Sequence, residues 1–443
     1  MRRWYFASTR ERGWESSPDV RMVFATEFTG RCVSEFVARS QCVWREVGCN
    51  VALRIGLTIP TMPVSGVGTS VGILHAGLNA AGHNAEILVT GSQLGGDFQR
   101  AVREGWCMRA VGPELRFLPD RLKRTIDCLS EYDVVINNSS FETQMMLPCL
   151  ASDVLRIAVV RNPNRSSFEQ AAWNSDCLDT GVGVSREMVR QLAAWPRMKC
   201  AIELIPNCTS LTGGGGLALK TPICVAYVGR LAEKDKNVLM VPDVLSHLAK
   251  KGIRYRCRIA GEGEAAKRLA KQCARQGVLG DVQFLGAVSR VEAADVLRTS
   301  HFCLLPSRYE GLSNVMLESM AVGCVPIASN ATDFDWVLGD MASDLSGPVD
   351  DAPGYAERVA SLVASPGRYR QVQEYLRERQ QTLFTPAATI RAYLELIERV
   401  GKGRERRRYD QVPFREVEIP PSHKKYCTSG WRILQRLRDA CGM

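Results

Sequence analysis

Among the 16 cysteines of this 443-residue chain no two stand as C-x-x-C, and none of its 5 histidines lies at zinc-ligand spacing. That excludes a zinc-finger framework. The cysteines fall inside apolar runs, as at Cys224, Cys257, Cys303 and Cys324, where they read as small core residues and predict a reducing cytosol rather than a disulfide scaffold. No segment reaches the roughly 18 consecutive apolar residues of a membrane span. Met1-Arg2-Arg3-Trp4 opens without the apolar core of a signal peptide, so a cytoplasmic protein is expected. Acidic residues are the scarcer charge, 47 against 57 basic, leaving a formal net charge of +10 with much of the excess near the two ends. Such a balance favours anionic partners: nucleotide phosphates, acidic glycans or an anionic membrane surface. Nucleic acid is not expected, because no recognition motif with interleaved aromatics accompanies the charge.

What is present is a chain of ordinary globular composition, 45% hydrophobic and 23% charged, long enough for about three domain-sized units. Residues 1–50 mix Trp, Arg, Ser and Glu without sustained period and read as a poorly ordered extension. From Val51 strand-like runs alternate with helical patterns, the signature of α/β architecture with parallel sheets. Strands are expected over 51–59, 85–90, 132–137, 155–160, 179–184 and 202–205. After the glycine run of 213–216 they resume over 223–228, 254–260, 282–285, 302–305 and 324–328. The spacing predicts two Rossmann-like domains, 51–212 and 221–385, joined by a glycine-rich linker at 213–220. A helix over 386–400 and a basic tail over 401–443 complete the chain. Residues 60–68 are expected as a loop ending Ser65-Gly66-Val67-Gly68. This glycine turn continues to Gly72 rather than giving G-x-G-x-x-G, and the second strand does not end in a ribose-binding acid, which argues against a nicotinamide site.

The most informative stretch is Cys303 to Ser329. An apolar run is stopped by Pro306 and opens into a polar loop. Ser313 offers an N-cap, a helix is predicted over Asn314 to Val322, and Gly323 suits its left-handed end. Glu310 in the loop and Glu318 in the helix stand with seven residues between them. The helix N-terminus beside them presents unpaired N–H groups and a positive dipole end, which suit a phosphate. At the first turn of the second domain Arg230 precedes Lys236 by six residues. A diphosphate reconciles two cations at one strand end, Arg giving a planar fork and Lys a point charge. Phosphate donors next to carboxylates that can each hold a pair of hydroxyls suggest a sugar nucleotide.

Glu310-Gly311-Leu312-Ser313-Asn314-Val315-Met316-Leu317-Glu318, with Pro306-Ser307, Met320-Ala321 and Gly323 around it, resembles the E-x7-E region of retaining GT-B glycosyltransferases of the family 4, or group 1, type. The resemblance covers about Val51 to Val400. It implies the GT-B fold, two Rossmann-like domains facing each other across a cleft, with the C-terminal helix packed back on the first. By the same resemblance Glu310 meets the donor sugar and Glu318 the ribose. Arg230, Lys236, Ser313, Asn314, Gly66 and Gly68 face the donor phosphates, and the backbone of Ala287 and Val288 meets the base. Many relatives carry a His after the fourth strand, where this chain has Arg161-Asn162, so any catalytic task of that His falls to one of these two or to neither. Asp333-Phe334-Asp335 is a D-x-D lying beyond the donor helix, and neither a metal nor a cofactor is expected. The implied activity is metal-independent, retaining transfer of a hexosyl group from a UDP- or GDP-sugar to a hydroxyl of a glycan or lipid-linked acceptor, in cell-surface polysaccharide or glycolipid synthesis. A sugar-nucleotide epimerase and a catalytically silent sugar-nucleotide-binding scaffold are the alternatives. A basic amphipathic segment, 114–132, and the tail after Gly401 could hold the protein on the inner face of an anionic membrane.

Overall fold

In the computed structural model, residues 52–403 and 411–414 are described, apart from 63–65, 97, 104, 116, 214, 215 and 332. The expected extension over 1–50 and most of the expected tail lie outside this set. The first seven strands are β1 (Arg54–Ile59), β2 (Asn84–Val89), β3 (Met108–Ala110), β4 (Val134–Asn137), β5 (Leu155–Val160), β6 (Thr180–Gly183) and β7 (Ile202–Leu204). They form one sheet in the order β3-β2-β1-β4-β5-β6-β7. The next six are β8 (Ile223–Val228), β9 (Tyr255–Ala260), β10 (Val282–Gly286), β11 (Phe302–Leu305), β12 (Val325–Ser329) and β13 (Ser346–Gly347), ordered β10-β9-β8-β11-β12-β13 in a second sheet. Every strand pair is parallel.

Helices cover both faces of such sheets, so the central strands carry no polar alternation. β5, β11 and β12 are buried at every residue. Strand order reverses between β1 and β4 and again between β8 and β11. At such switch points neighbouring loops leave in opposite directions and open a crevice at the carboxyl edge.

Five helices frame the site and its flanks: α1 (Gly66–Ala80), α2 (Leu118–Leu129), α3 (Arg186–Ala193), α4 (Asn314–Val322) and α5 (Pro386–Gly403). The loop expected over 60–68 ends early, because α1 already begins at Gly66. Glycine is a poor helix former, but packing overrides propensity here. A Cβ at Gly72 would overlap the Trp106 ring and one at Gly77 would overlap Ile390. The glycines therefore let α1 be crossed closely on two sides.

α5 lies on the first domain. Thr389 Oγ1 donates to the Pro206 carbonyl at 3.3 Å and Arg399 pairs with Glu203 at 2.8 Å. The segment expected as the basic tail, 401–443, begins with structure. Residues 401–403 extend α5, and 411–414 return to the first domain. Val412 N–H donates to Pro148 O at 2.9 Å, Gln411 Nε2 donates to Cys149 O at 2.7 Å, and Phe414 packs on Leu118, Leu122, Met145 and Met146. An apolar ring among the tail charges is what secures this return. Among the described residues no helix is long and apolar enough to cross a membrane.

Candidate functional site

The second domain builds its site at the carboxyl edges of β8, β9 and β11. Two glycine turns stack there. Gly229 and Gly261 hold φ of +150° and +140°, and a Cβ at Gly261 would overlap the Gly229 carbonyl oxygen. Both turns therefore require residues without side chains, and the stacking fixes the loop that leaves β8. In that loop Arg230 pairs with Asp235 at the surface. Lys236, only 21% exposed, pairs with Glu310, 13% exposed. Glu310 also accepts from Ser307 Oγ at 3.0 Å. The cation expected at the diphosphate and the carboxylate expected at the sugar are thus bonded to each other. Each supplies the counter-charge that the other's burial demands.

α4 starts directly behind this pair. Ser313 stands at its N-cap but makes no side-chain capping bond, and the first turn contains no acid. The leading N–H groups therefore have no side-chain cap. The other end is closed: Gly323 holds φ +74°, with Gly323 N–H on Met320 O at 3.2 Å and Cys324 N–H on Ser319 O at 2.9 Å, the paired bonds of a Schellman motif. Glu318, one turn inside α4, is half-buried and has no hydrogen bond to a described residue. Burial pushes its carboxyl up to about 7, with Arg290 pulling the other way. Arg290 opens the helix Arg290–Arg298, just past Ala287, which is exposed, and Val288, which is half-buried.

The first domain faces this edge with the start of α1. Gly66 and Gly68 lie in its first turn. Asn314 reaches across, donating from Nδ2 to Gly66 O at 2.9 Å and to Ser70 Oγ at 3.3 Å. Its Oδ1 is buried without a partner. Asn314, expected at the phosphate, is thus engaged between the domains.

Arg161 and Asn162 part company. Asn162 is exposed. Arg161 is 8% exposed and its guanidinium turns inward. Nε and Nη2 donate to Asn138 Oδ1 at 3.2 and 3.0 Å, and Nη1 donates to Asn207 Oδ1 at 2.5 Å. No carboxylate pairs with it among the described residues. The D-x-D carboxylates are also spoken for. Asp333 Oδ2 accepts from Glu187 N–H on α3 at 2.5 Å, and Asp335 Oδ1 accepts from Ser346 Oγ at 2.5 Å.

Three neighbours could not be picked out from the sequence. Asp235 lies between the two cations of 230 and 236, and that position was its only signal. Ser307 is three residues before Glu310. Arg290 is the exposed first residue of its helix, and nothing in the sequence ties it to Glu318.

Comparison with known proteins agrees with this construction. Residues 216–379 match the family model of glycosyl transferases group 1. A glycogen synthase of Mycobacterium tuberculosis is 28% identical over 203 residues, 45% of this chain and 48% of the relative. The lipopolysaccharide core biosynthesis glycosyltransferase LpsE of Rhizobium meliloti is 28% identical over 53% of this chain and 67% of its own length. Most curated relatives are matched over about half of their length or less. Among solved structures, a sucrose-phosphate synthase from Thermosynechococcus elongatus superposes with a TM-score of 0.62 at 16% identity, covering 80% of this chain and 100% of that one. Anabaena HepE in complex with UDP-glucose superposes with a TM-score of 0.63 at 12% identity, covering 78% of this chain and 100% of that one. At such identities the structural likeness speaks for the fold. The matched residues, 216–379, make up most of the second Rossmann-like domain of a GT-B fold.

Proposed function

We propose that this protein is a retaining, metal-independent glycosyltransferase that moves a hexosyl group from a nucleotide diphosphate donor to a hydroxyl acceptor. One observation carries the reading. An uncapped helix N-terminus, two cations and two carboxylates converge at one strand edge, and one carboxylate, Glu318, is half-buried with no hydrogen bond to a described residue. The ribose hydroxyls of a nucleotide would satisfy Glu318. The diphosphate would lie on the first turn of α4 between Arg230 and Lys236, with the base against the backbone of Ala287 and Val288. The positive end of α4 and the two cations then stabilise the charge that gathers on the departing diphosphate.

Lys236 and Glu310 share one ion pair, so the arriving diphosphate competes with Glu310 for the ammonium. Glu310 is thereby freed toward the sugar hydroxyls as Lys236 turns to phosphate. The donor class, a UDP- or GDP-sugar, is supported by the HepE complex with UDP-glucose. Glycogen synthase and the lipopolysaccharide glycosyltransferase among the relatives support an acceptor hydroxyl on a glycan or lipid-linked glycan, in polysaccharide or glycolipid synthesis. Arg161, turned inward, is not proposed to touch the sugar. The membrane-facing surface, if an anionic bilayer is the partner, is the one where α2 and residues 411–414 meet.

Incubation with a panel of UDP- and GDP-sugars, with and without lipid-linked glycan acceptors, tests the proposal through released nucleoside diphosphate. Release that requires acceptor supports transfer. Interconversion of donor sugars without acceptor means an epimerase, and binding with neither outcome means a silent scaffold.

A further inference from the structure

We infer that Arg161 and Asn207 form a positioning relay, reaching across the cleft to seat the loop that carries Glu310. The chemistry of the three groups in line makes the case. A guanidinium can only donate and a backbone carbonyl can only accept. A residue that bridges the two must accept at one end and donate at the other, which a carboxylamide does. Asn207 does so: its Oδ1 receives Arg161 Nη1 at 2.5 Å and its Nδ2 donates to Leu312 O at 3.1 Å. The two partners also fix which way round the amide lies.

The same arginine holds the loop a second time through its backbone. A Cβ at Gly311 would overlap the Arg161 carbonyl oxygen and come within 3.2 Å of Met188 Sδ. Gly311 and Leu312 come directly after Glu310, so both contacts act on the backbone that aims its carboxylate. Asn138, Asn207 and Tyr393 surround the guanidinium from just after β4, from the segment after β7 and from α5. The anchor is therefore set by two segments of the first domain and by the helix packed on it. Other cross-domain hydrogen bonds act elsewhere: Asn314 donates to Gly66 from α4, Glu187 N–H donates to Asp333 after β12, and Thr209 N–H donates to Phe384 O.

Asn207→Asp separates the two halves of the relay. An aspartate still accepts from Arg161, more strongly than the amide, but sets a carboxylate oxygen against the Leu312 carbonyl. Hydrogen exchange of the full-length protein is the test, because it does not depend on activity. Loss of one hydrogen bond plus an unsatisfied carbonyl should speed exchange in peptides spanning 306–313 about tenfold, while peptides of β5 and β8 stay unchanged. Gly311→Ala, which displaces the loop and leaves the relay side chains intact, should give the same local pattern. In turnover assays, which rest on the proposed glycosyl transfer, both variants should lower kcat about tenfold or more with affinity for UDP or GDP held within about threefold. Unchanged exchange over 306–313 in both variants, or acceleration spread evenly over the first domain, would overturn the relay. If the wild-type protein transfers no sugar from any donor, the proposed function fails and the exchange data still decide the relay.

Discussion

Two glutamates eight positions apart sit in opposed surroundings, and their environments assign them different work. Glu310 is held by Lys236 and Ser307; Glu318 has no hydrogen bond from a described residue and a carboxyl raised to about 7 by burial. Ribose contacts are nearly equal in ground and transition states, so Glu318→Gln should chiefly raise the donor KM. A carboxylate beside a developing oxocarbenium is favoured more in the transition state, so Glu310→Gln should chiefly lower kcat. Steady-state kinetics of both variants tests the division, and the reverse pattern contradicts it. The raised carboxyl also fixes a pH dependence. In the proposed ribose role the ionised form would accept both hydroxyls, so UDP or GDP affinity should rise from pH 6 to pH 8, and Glu318→Gln should flatten that rise. Stability runs the other way. Between the ordinary value of 4.5 and about 7 the folded chain keeps a proton that the unfolded chain has lost. The contribution of Glu318 is therefore complete below the lower value and lost as pH climbs through the upper one. Thermal melts of the wild type against Glu318→Gln over pH 5 to 8 measure that trend.

At the scale of elements, α4 is the one whose limits were most legible. A serine before it and a glycine in left-handed geometry after it mark both ends, and the structure runs it over Asn314–Val322. Gly323→Ala should cost about 1–2 kcal/mol for an L-residue at φ +74°, read from chemical denaturation midpoints. β8 and β11 were legible for a different reason: buried parallel strands are short, unbroken apolar runs with clear stops, and β5 departs from that only at the buried Arg156. β3 and β13 were not, because three and two residues at sheet edges carry no period of their own and exist only through their neighbours' ladders. The start of α1 was missed because Gly66 and Gly68 look like a loop, and the contact at Gly66 comes from Asn314 of the other domain. In the site, the chemical types at 230, 236, 310 and 318 could be read from spacing. Who bonds to whom could not. The Lys236–Glu310 pair spans 74 positions and depends on how the second domain folds, while Asn314 reaches Gly66 over 248 and depends on how the two domains meet.

The whole molecule is held as a pair of domains by contacts spread along one seam. Asn314 joins α4 to α1, Asn207 joins the Glu310 loop to the first sheet, and Arg186 lies over the Trp336 ring at 5.1 Å. α5 returns the chain to the domain in which it began. Away from the seam, Phe414 brings the carboxyl-terminal segment against α2, whose Lys123 is exposed while Arg121 turns inward to Glu142. α2 thus presents the exposed Lys123 on one face. If that face meets an anionic bilayer, each lysine or arginine near the surface contributes about 1 kcal/mol and salt weakens the sum. Sedimentation with anionic vesicles should then exceed that with neutral ones at low salt and fall at high salt; equal recovery dismisses the membrane. Every proposed role at the cleft depends on the edge of the second sheet being a nucleoside diphosphate site. Calorimetric titration of UDP and GDP into the wild type, Arg230→Ala, Lys236→Ala and the double variant tests it most directly. A charge-assisted hydrogen bond contributes roughly 1.5–3 kcal/mol, so each single substitution should weaken binding about 10- to 150-fold. Affinity unchanged in the double variant would contradict the assignment.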